Sequence, residues 1–94
     1  MSPEAWTLPW EEAREGLLVH RDRRVVYLNP AAAELLAVDR EKVRGLPLIL
    51  ALRDHRLEAL ALKGGEAVLE VRGRVLAARA RPGLLYLLDV TEAR

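Results

Sequence analysis

A hairpin signal followed at once by a helix start constrains the fold more than any other feature of this chain. Residues 17–20 and 25–28 are short runs of β-forming residues with a charged gap of turn length between them, which predicts an antiparallel hairpin. Asn29 and Pro30 follow directly, and these residue types suit the N-cap and the first position of a helix. We therefore expect a helix over residues 31–37.

The middle of the chain predicts short helices. Asp39 can cap a helical turn that runs to residue 44, and residues 46–52 suit either a short helical turn or a buried connector. Helical periodicity returns over residues 54–63, with Leu57, Leu60 and Ala61 on one face. Two consecutive glycines then end the helix.

The last third predicts three strands, over residues 66–72, 74–81 and 84–90, with turns at Gly73 and at Pro82-Gly83. Two strands, several short helices and three strands give an α+β fold, in which one five-stranded antiparallel sheet carries the helices on one face. The predicted core positions are Leu17, Val19, Leu35, Leu36, Leu57, Leu60, Leu69 and Leu76.

Composition excludes several classes of function. The 94 residues fit one domain, and because only 4% are aromatic the core consists of Leu, Val and Ala. The absence of Cys excludes disulfides, thiolate nucleophiles and Cys-based zinc sites. With 15 basic and 14 acidic residues the chain does not suggest a nucleic-acid partner, and no apolar run approaches the ~20 residues of a membrane span. The Arg-rich, Gln-free composition suits a thermophile or a GC-rich genome.

Four segments, in order, resemble a PAS domain. The hairpin of residues 15–28 resembles the first hairpin of that family, and Asn-Pro-Ala-Ala-Ala-Glu-Leu-Leu at 29–36 resembles its Asn-helix element. Val-Arg-Gly-Leu-Pro-Leu at 43–48 and Asp-Val-Thr-Glu at 89–92 resemble two further family motifs. The resemblance covers residues 12–94. Within that family, the sequence most resembles the cytoplasmic PAS domain of sensor histidine kinases of the phosphate-response type.

The resemblance implies a domain layout and a function. Residues 1–14 are then an N-terminal flanking segment with a short helix, 15–91 the PAS domain, and 92–94 the start of a linker helix to an absent output domain. The chain itself is expected to be a non-catalytic sensory or relay module, cytoplasmic, in a parent that can be a membrane-anchored histidine kinase. Asp89 and Thr91 are assigned to signal transmission. The alternative is a ligand-free dimerisation module, which a diguanylate cyclase or a transcription regulator can also carry.

The apolar residues Trp6, Leu8 and Trp10 lie outside the predicted core pattern. Flanking helices of PAS domains often lie on the sheet and pair with a second copy, and exposed tryptophans favour interfaces. We therefore expect a homodimer that uses residues 5–14 and the outer face of the sheet.

No cofactor or metal is expected. The sequence leaves open whether the interior binds a small-molecule ligand. One haem-binding PAS subgroup uses a helix histidine in the region of His55, but the neighbouring Asp54 and Arg56 favour a solvated residue. His20 is expected at the surface or hydrogen-bonded to the hairpin turn. No catalytic constellation stands out.

The sequence leaves two alternatives open for the arginines of the last strands and for the turn of the first hairpin. Arg72, Arg79 and Arg81 can form an anion-binding sheet face, or a solvated face paired with Glu66 and Glu70, which the spacing favours. The first PAS hairpin usually turns on Asp-Gly, whereas here Arg23 follows Asp22. A positive φ at Arg23 costs about 1 kcal/mol, and a longer turn would avoid that strain.

Overall fold

A five-stranded antiparallel sheet organises the fold. The computed structural model describes residues 7–91, and its strands are β1 (Gly16–Arg21), β2 (Arg24–Leu28), β3 (Gly65–Val71), β4 (Arg74–Arg81) and β5 (Leu84–Asp89). They lie in the order β2-β1-β5-β4-β3, so the last strand in the sequence occupies the centre beside the first. The predicted α+β architecture is confirmed.

Five short helices complete the fold: α1 (Leu8–Glu11), α2 (Pro30–Leu36), α3 (Arg40–Val43), α4 (Leu48–Leu52) and α5 (His55–Lys63). Helices α2 to α5 connect β2 to β3 and pack on one face of the sheet, called here the inner face. Asp39 caps α3, as predicted, by accepting hydrogen bonds from backbone N–H groups, and Asp54 caps α5 in the same way. The short helix α1 instead belongs to a segment on the opposite, outer face.

The inner core is aliphatic. Its most buried members come from every inner-face element, and they include Leu18, Leu36, Leu52, Leu57, Leu76, Leu85 and Leu87. The prediction for β1 was wrong, because Leu18 and not Leu17 or Val19 lies in this core. Side chains alternate between the faces of a strand, so an error of one residue exchanges the two faces. Leu17 is buried, but on the outer face beside Tyr86.

The first hairpin uses a two-residue turn at Asp22 and Arg23. Both residues have positive φ, 53° and 62°, and Arg21 pairs directly with Arg24. The longer turn is therefore wrong. A two-residue turn with two positive φ values matches the twist of the flanking strands, although non-glycine residues there cost about 1–2 kcal/mol each.

The connector before α4 covers the free edge of β2. The N–H of Val25 donates to the carbonyl of Leu46 at 2.9 Å, and the N–H of Gly45 donates back to Val25 at 2.8 Å. The predicted segment 46–52 thus contains both a connector that pairs with β2 and the short helix α4. This pairing protects an edge that would otherwise present unpaired backbone groups.

Asn29 joins three parts of the chain and is fully buried. Its Oδ1 accepts from the N–H of Ala32 in α2 and of Leu17 in β1, both at 2.9 Å. Its Nδ2 donates to the carbonyls of Trp10 and Glu15 at 2.8 and 2.9 Å. An asparagine amide has two donor hydrogens and two acceptor sites, so every one is used.

A close approach of β1 to α2 makes this arrangement possible. A Cβ added at Gly16 would lie 2.9 Å from the Cα of Ala32, a distance that real Cβ atoms do not reach. Glycine at this position lets the backbones meet and brings the N–H of Leu17 to Asn29.

Replacing Asn29 by Ala should lower the free energy of unfolding by about 3 kcal/mol, because a helix cap is lost and buried backbone groups stay unpaired. Asp39→Ala removes an exposed cap of the same kind and should cost about 1 kcal/mol. Urea unfolding followed by circular dichroism measures both variants. Equal losses would contradict the role given to Asn29.

Candidate functional site

Within the described residues, the N-terminal segment consists of residues 7–15 and packs on the outer face of the sheet. The rings of Trp10 and Tyr86 lie 5.9 Å apart at 46°, and the guanidinium of Arg79 lies 4.8 Å from the Tyr86 ring centre. Arg79 also pairs with Glu15 at 3.1 Å. These contacts cover Leu17, which is only 2% exposed. The segment is therefore tied to the two central strands, β1 and β5.

A second contact of this segment is electrostatic. The hydroxyl of Tyr27 donates a short hydrogen bond to Glu11, and Arg40 donates to both carboxylate oxygens of Glu11 at 3.0 Å. Arg40 also lies 5.8 Å from the Tyr27 ring centre. The bonds from Tyr27 and Arg40 lower the pKa of Glu11. Burial, and next the bond to Glu11, raise the pKa of Tyr27 to about 12.

The residues predicted for a dimer interface have different surroundings. Trp6 lies outside the described residues, Leu8 is 69% exposed, and Trp10 is half-buried against Tyr86. The outer face also carries an apolar stripe across three strands, made of the directly paired residues Val68, Ala77 and Leu88. Val68 and Leu88 are 65% and 43% exposed, and the sequence analysis did not single them out.

The end of β5 is fixed by a hydrogen-bonded junction that contains both residues assigned to signal transmission. The carboxylate of Asp89 accepts from the N–H and the hydroxyl of Thr91 at 2.9 and 2.5 Å. The Thr91 hydroxyl oxygen accepts from the N–H of Val75 at 3.0 Å, and the N–H of Val90 donates to the Val75 carbonyl. The hydrogen bond from the Thr91 hydroxyl is the first cause of the lowered pKa of Asp89. A weaker ion pair joins Asp89 to Arg74 at 3.5 Å.

Asp89 and Thr91 thus connect β5 to the start of β4. The ion pair of Asp89 with Arg74 lies at the surface and contributes little to stability. The hydrogen bonds from the backbone N–H groups of Thr91 and Val75 therefore connect the two strands. Residues 92–94, which were expected to begin a linker helix, lie outside the described residues.

The arginines do not form the predicted sheet face. Arg72 lies in the β3–β4 turn and donates to the carbonyls of Leu36 and Leu52 at the ends of α2 and α4. Arg53 also donates to Leu36. Cations are favourable at helix C-termini, so Arg72 holds α2 and α4 to the sheet, and Arg53, at the end of α4, holds α4 to α2. Arg79 pairs with Glu15 and not with the strand residues Glu66 or Glu70.

The two histidines also differ from each other. His55 is exposed at the start of α5, so the fold does not bring it to the interior. His20 is half-buried, and its Nε2 is buried without a hydrogen-bond partner. The expectation of a surface or turn-bonded His20 was wrong. The cause is the same one-residue error as for Leu17 and Val19: His20 lies two residues after Leu18 and therefore shares its inner face.

Residues 7–91 also lack two features that would point to other functions. Within that range, no His, Cys, Asp or Glu side chains form a group of three that could hold a metal ion. No helix of the same range has the length and apolar character to cross a membrane.

The raised pKa of Tyr27 predicts a loss of stability at alkaline pH. Because its folded value of about 12 exceeds the ordinary 10.0, the bound proton stabilises the fold. This contribution is complete below pH 10 and is lost as the pH rises through about 12. In Tyr86→Phe the ultraviolet absorbance of phenolate reports Tyr27 alone, and it should appear near pH 12.

Glu11→Gln supplies the matched comparison in the same Tyr86→Phe background. It removes the negative charge beside the hydroxyl, so the Tyr27 phenolate should appear at lower pH. An identical titration in both proteins would show that Glu11 does not contact Tyr27 in solution.

No protein-family model matches the chain, and no curated protein matches it by sequence. Solved structures do. A domain of an HTR-like protein from Haloarcula marismortui superposes with a TM-score of 0.59 at 16% identity, covering 84% of this chain and 100% of that one. The PAS domain of a LuxR-family transcriptional regulator from Burkholderia thailandensis, solved with ethanol, gives 0.54 at 16% identity, covering 90% and 96%. The chain therefore has the fold of a PAS domain.

Proposed function

We infer that the chain is a sensory or relay domain of a signal-transduction protein, which passes a conformational bias through its C-terminal end to an output domain. The observation that carries this proposal is the junction of Asp89, Thr91 and Val75, at the end of the central strand. A change in the sheet alters the geometry of this junction, and through it the direction in which the chain leaves the domain.

The positions of residues 7–15 and of the Asp89–Thr91 junction support a relay. The N-terminal segment binds β1 and β5 through Leu17, Asn29 and Tyr86, and β5 leads directly to Asp89. A partner or neighbouring domain that moves the segment therefore acts on the strand that carries the junction. Such a signal requires only that the partner bind two arrangements of the domain with different affinity.

The inner core favours a relay over a sensor of polar ligands. Among residues 7–91 the buried polar or charged side chains are Thr7 and Asn29, and the amide of Asn29 is fully used by backbone groups. The remaining core residues are aliphatic apart from Tyr27, whose hydroxyl is bonded to Glu11. A polar ligand enclosed among the residues of this aliphatic core would contact no polar side chain of the core that could recognise it.

A sensor histidine kinase is our proposed output domain, and the cytoplasm is the proposed location. The closing Asp-Val-Thr-Glu motif supports the kinase, and the narrower phosphate-response type rests on the sequence resemblance alone. A second candidate is a ligand-free dimerisation module, which the exposed apolar stripe of Val68, Ala77 and Leu88 favours.

A fusion tests the relay. When the chain is joined after Thr91 to the catalytic core of a histidine kinase, Asp89→Ala should change autophosphorylation about fivefold or more, the scale of a coupling free energy between sites. The melting temperature should stay nearly unchanged, because Asp89 is exposed. Glu34→Ala, which removes an exposed carboxylate on α2, is the matched control. Equal kinase activity in all three fusions would contradict the relay.

The homodimer is tested separately. Val68→Lys places a charge on the apolar stripe and should weaken self-association measured by sedimentation velocity, because the charge would be desolvated in the interface. Leu50→Lys changes a residue that is 53% exposed on α4 and should have no effect. A monomeric parent chain, or equal dissociation constants for the two variants, would rule out an interface on the outer face.

A further inference from the structure

A cavity of about 370 Å³ lies at the end of the sheet opposite the junction. It forms where α5 ends, β3 begins and the β4–β5 turn closes, and His20 of β1 contributes to its wall. The volume is near the lower end of the range of about 300–1,000 Å³ typical of small-molecule sites. It is separate from the inner core and from the residues assigned to signal transmission.

Backbone geometry opens the cavity. Gly64 and Gly65 follow α5 with φ values of 86° and 115°, which side-chain-bearing residues rarely adopt. His20 lies two residues after the core residue Leu18, so strand alternation places it on the inner side of the sheet, where it lines the cavity beside the end of α5. The cavity therefore depends on the two glycines after α5 and on the face of β1 that carries His20.

The charges at the cavity have one sign. Lys63 and Arg81 are exposed cations in its wall, and no Asp or Glu is among the lining residues. One guanidinium N–H of Arg81 donates to the carbonyl of Ala80, and arginine has five such donors. An anion that enters the cavity meets two cations and no opposing carboxylate.

His20 supplies the second, independent observation. Its Nε2 is buried and has no hydrogen-bond partner, although it belongs to a residue of the cavity wall. A buried polar atom without a partner is uncommon in a native protein and costs free energy. Because this atom is buried, an oxyanion in the cavity can bond to it only after the ring rotates toward the cavity, and that bond would satisfy it.

We propose that this cavity binds a small organic anion, with a carboxylate or phosphate group held by Lys63, Arg81 and His20. The remaining wall includes Leu62, Ala80 and Pro82, which suit a short apolar body on the ligand. The proposal does not depend on the relay, because a ligand site and an output junction at opposite ends of the sheet can each exist without the other.

Binding should be coupled to the protonation of His20. Burial lowers the pKa of His20, and the nearby Ala61 carbonyl opposes that shift. Lys63 and Arg81 are the charged groups that share the cavity wall with the ring. A bound anion favours the imidazolium, so the anion should raise the pKa of His20 and bind more tightly at lower pH.

Nuclear magnetic resonance of the 94-residue chain tests the site with three probes: butyrate, propyl phosphate and the neutral butyramide. At least one anion should give saturable shifts at the amides of Gly64, Gly65 and Gly83 and raise the pKa of the His20 ring. Butyramide should not. The stronger anion identifies the preferred group. Saturation by none of the probes, or equal binding of butyramide, would overturn the proposal.

Variants separate the cavity from general surface attraction. Lys63→Ala and Arg81→Ala should each weaken binding of the anion about tenfold, because each removes a charged hydrogen-bond donor. Lys42→Ala removes an exposed cation of α3 and should leave the affinity unchanged. If all three variants bind the anion equally, the shifts do not arise from this cavity and the proposal fails.

Discussion

The side chain of Asn29 is the interaction on which the rest of the structure depends. It caps α2, holds the N–H of Leu17 in β1, and binds the carbonyls of Trp10 and Glu15 in the N-terminal segment. All four bonds are to backbone, so they fix the paths of three segments and not merely the contacts of side chains. The segment on the outer face and helix α2 on the inner face are therefore positioned by one amide.

Local signals in the sequence predicted the elements, and non-local pairing decided what they could not predict. The Asn-Pro step gave the start of α2 correctly because a cap and its helix are neighbours in the chain. The sequence analysis placed Leu17 on the wrong face of β1. Leu17 looks like a core residue because it is buried, but residues of the N-terminal segment bury it on the outer face. Arg72 was missed for a similar reason, since its acceptors are separated from it by 20 and 36 residues.

In the candidate site, too, local features were predicted from the sequence and features that depend on strand pairing were not. The Asp89–Thr91 motif was visible because its spacing is local, whereas its acceptor role toward Val75 depends on the pairing of β4 with β5. The cavity beside His20 had no sequence signal beyond two glycines and a histidine. That histidine faces inward because it shares a face of β1 with Leu18, and the sequence pattern had assigned the two faces of β1 the wrong way round.

Because the bonds of Asn29 are buried and those between Asp89 and Thr91 are exposed, we expect the frame around Asn29 to open at a higher free energy than the junction at the end of β5. Amide hydrogen exchange on the unmodified chain tests it directly. The amides of Leu17 and Ala32, both bonded to Asn29, should exchange only when the whole domain unfolds. The amide of Val75, bonded to the surface residue Thr91, should exchange faster through local opening. Exchange of Leu17 and Ala32 as fast as that of Val75 would contradict the account.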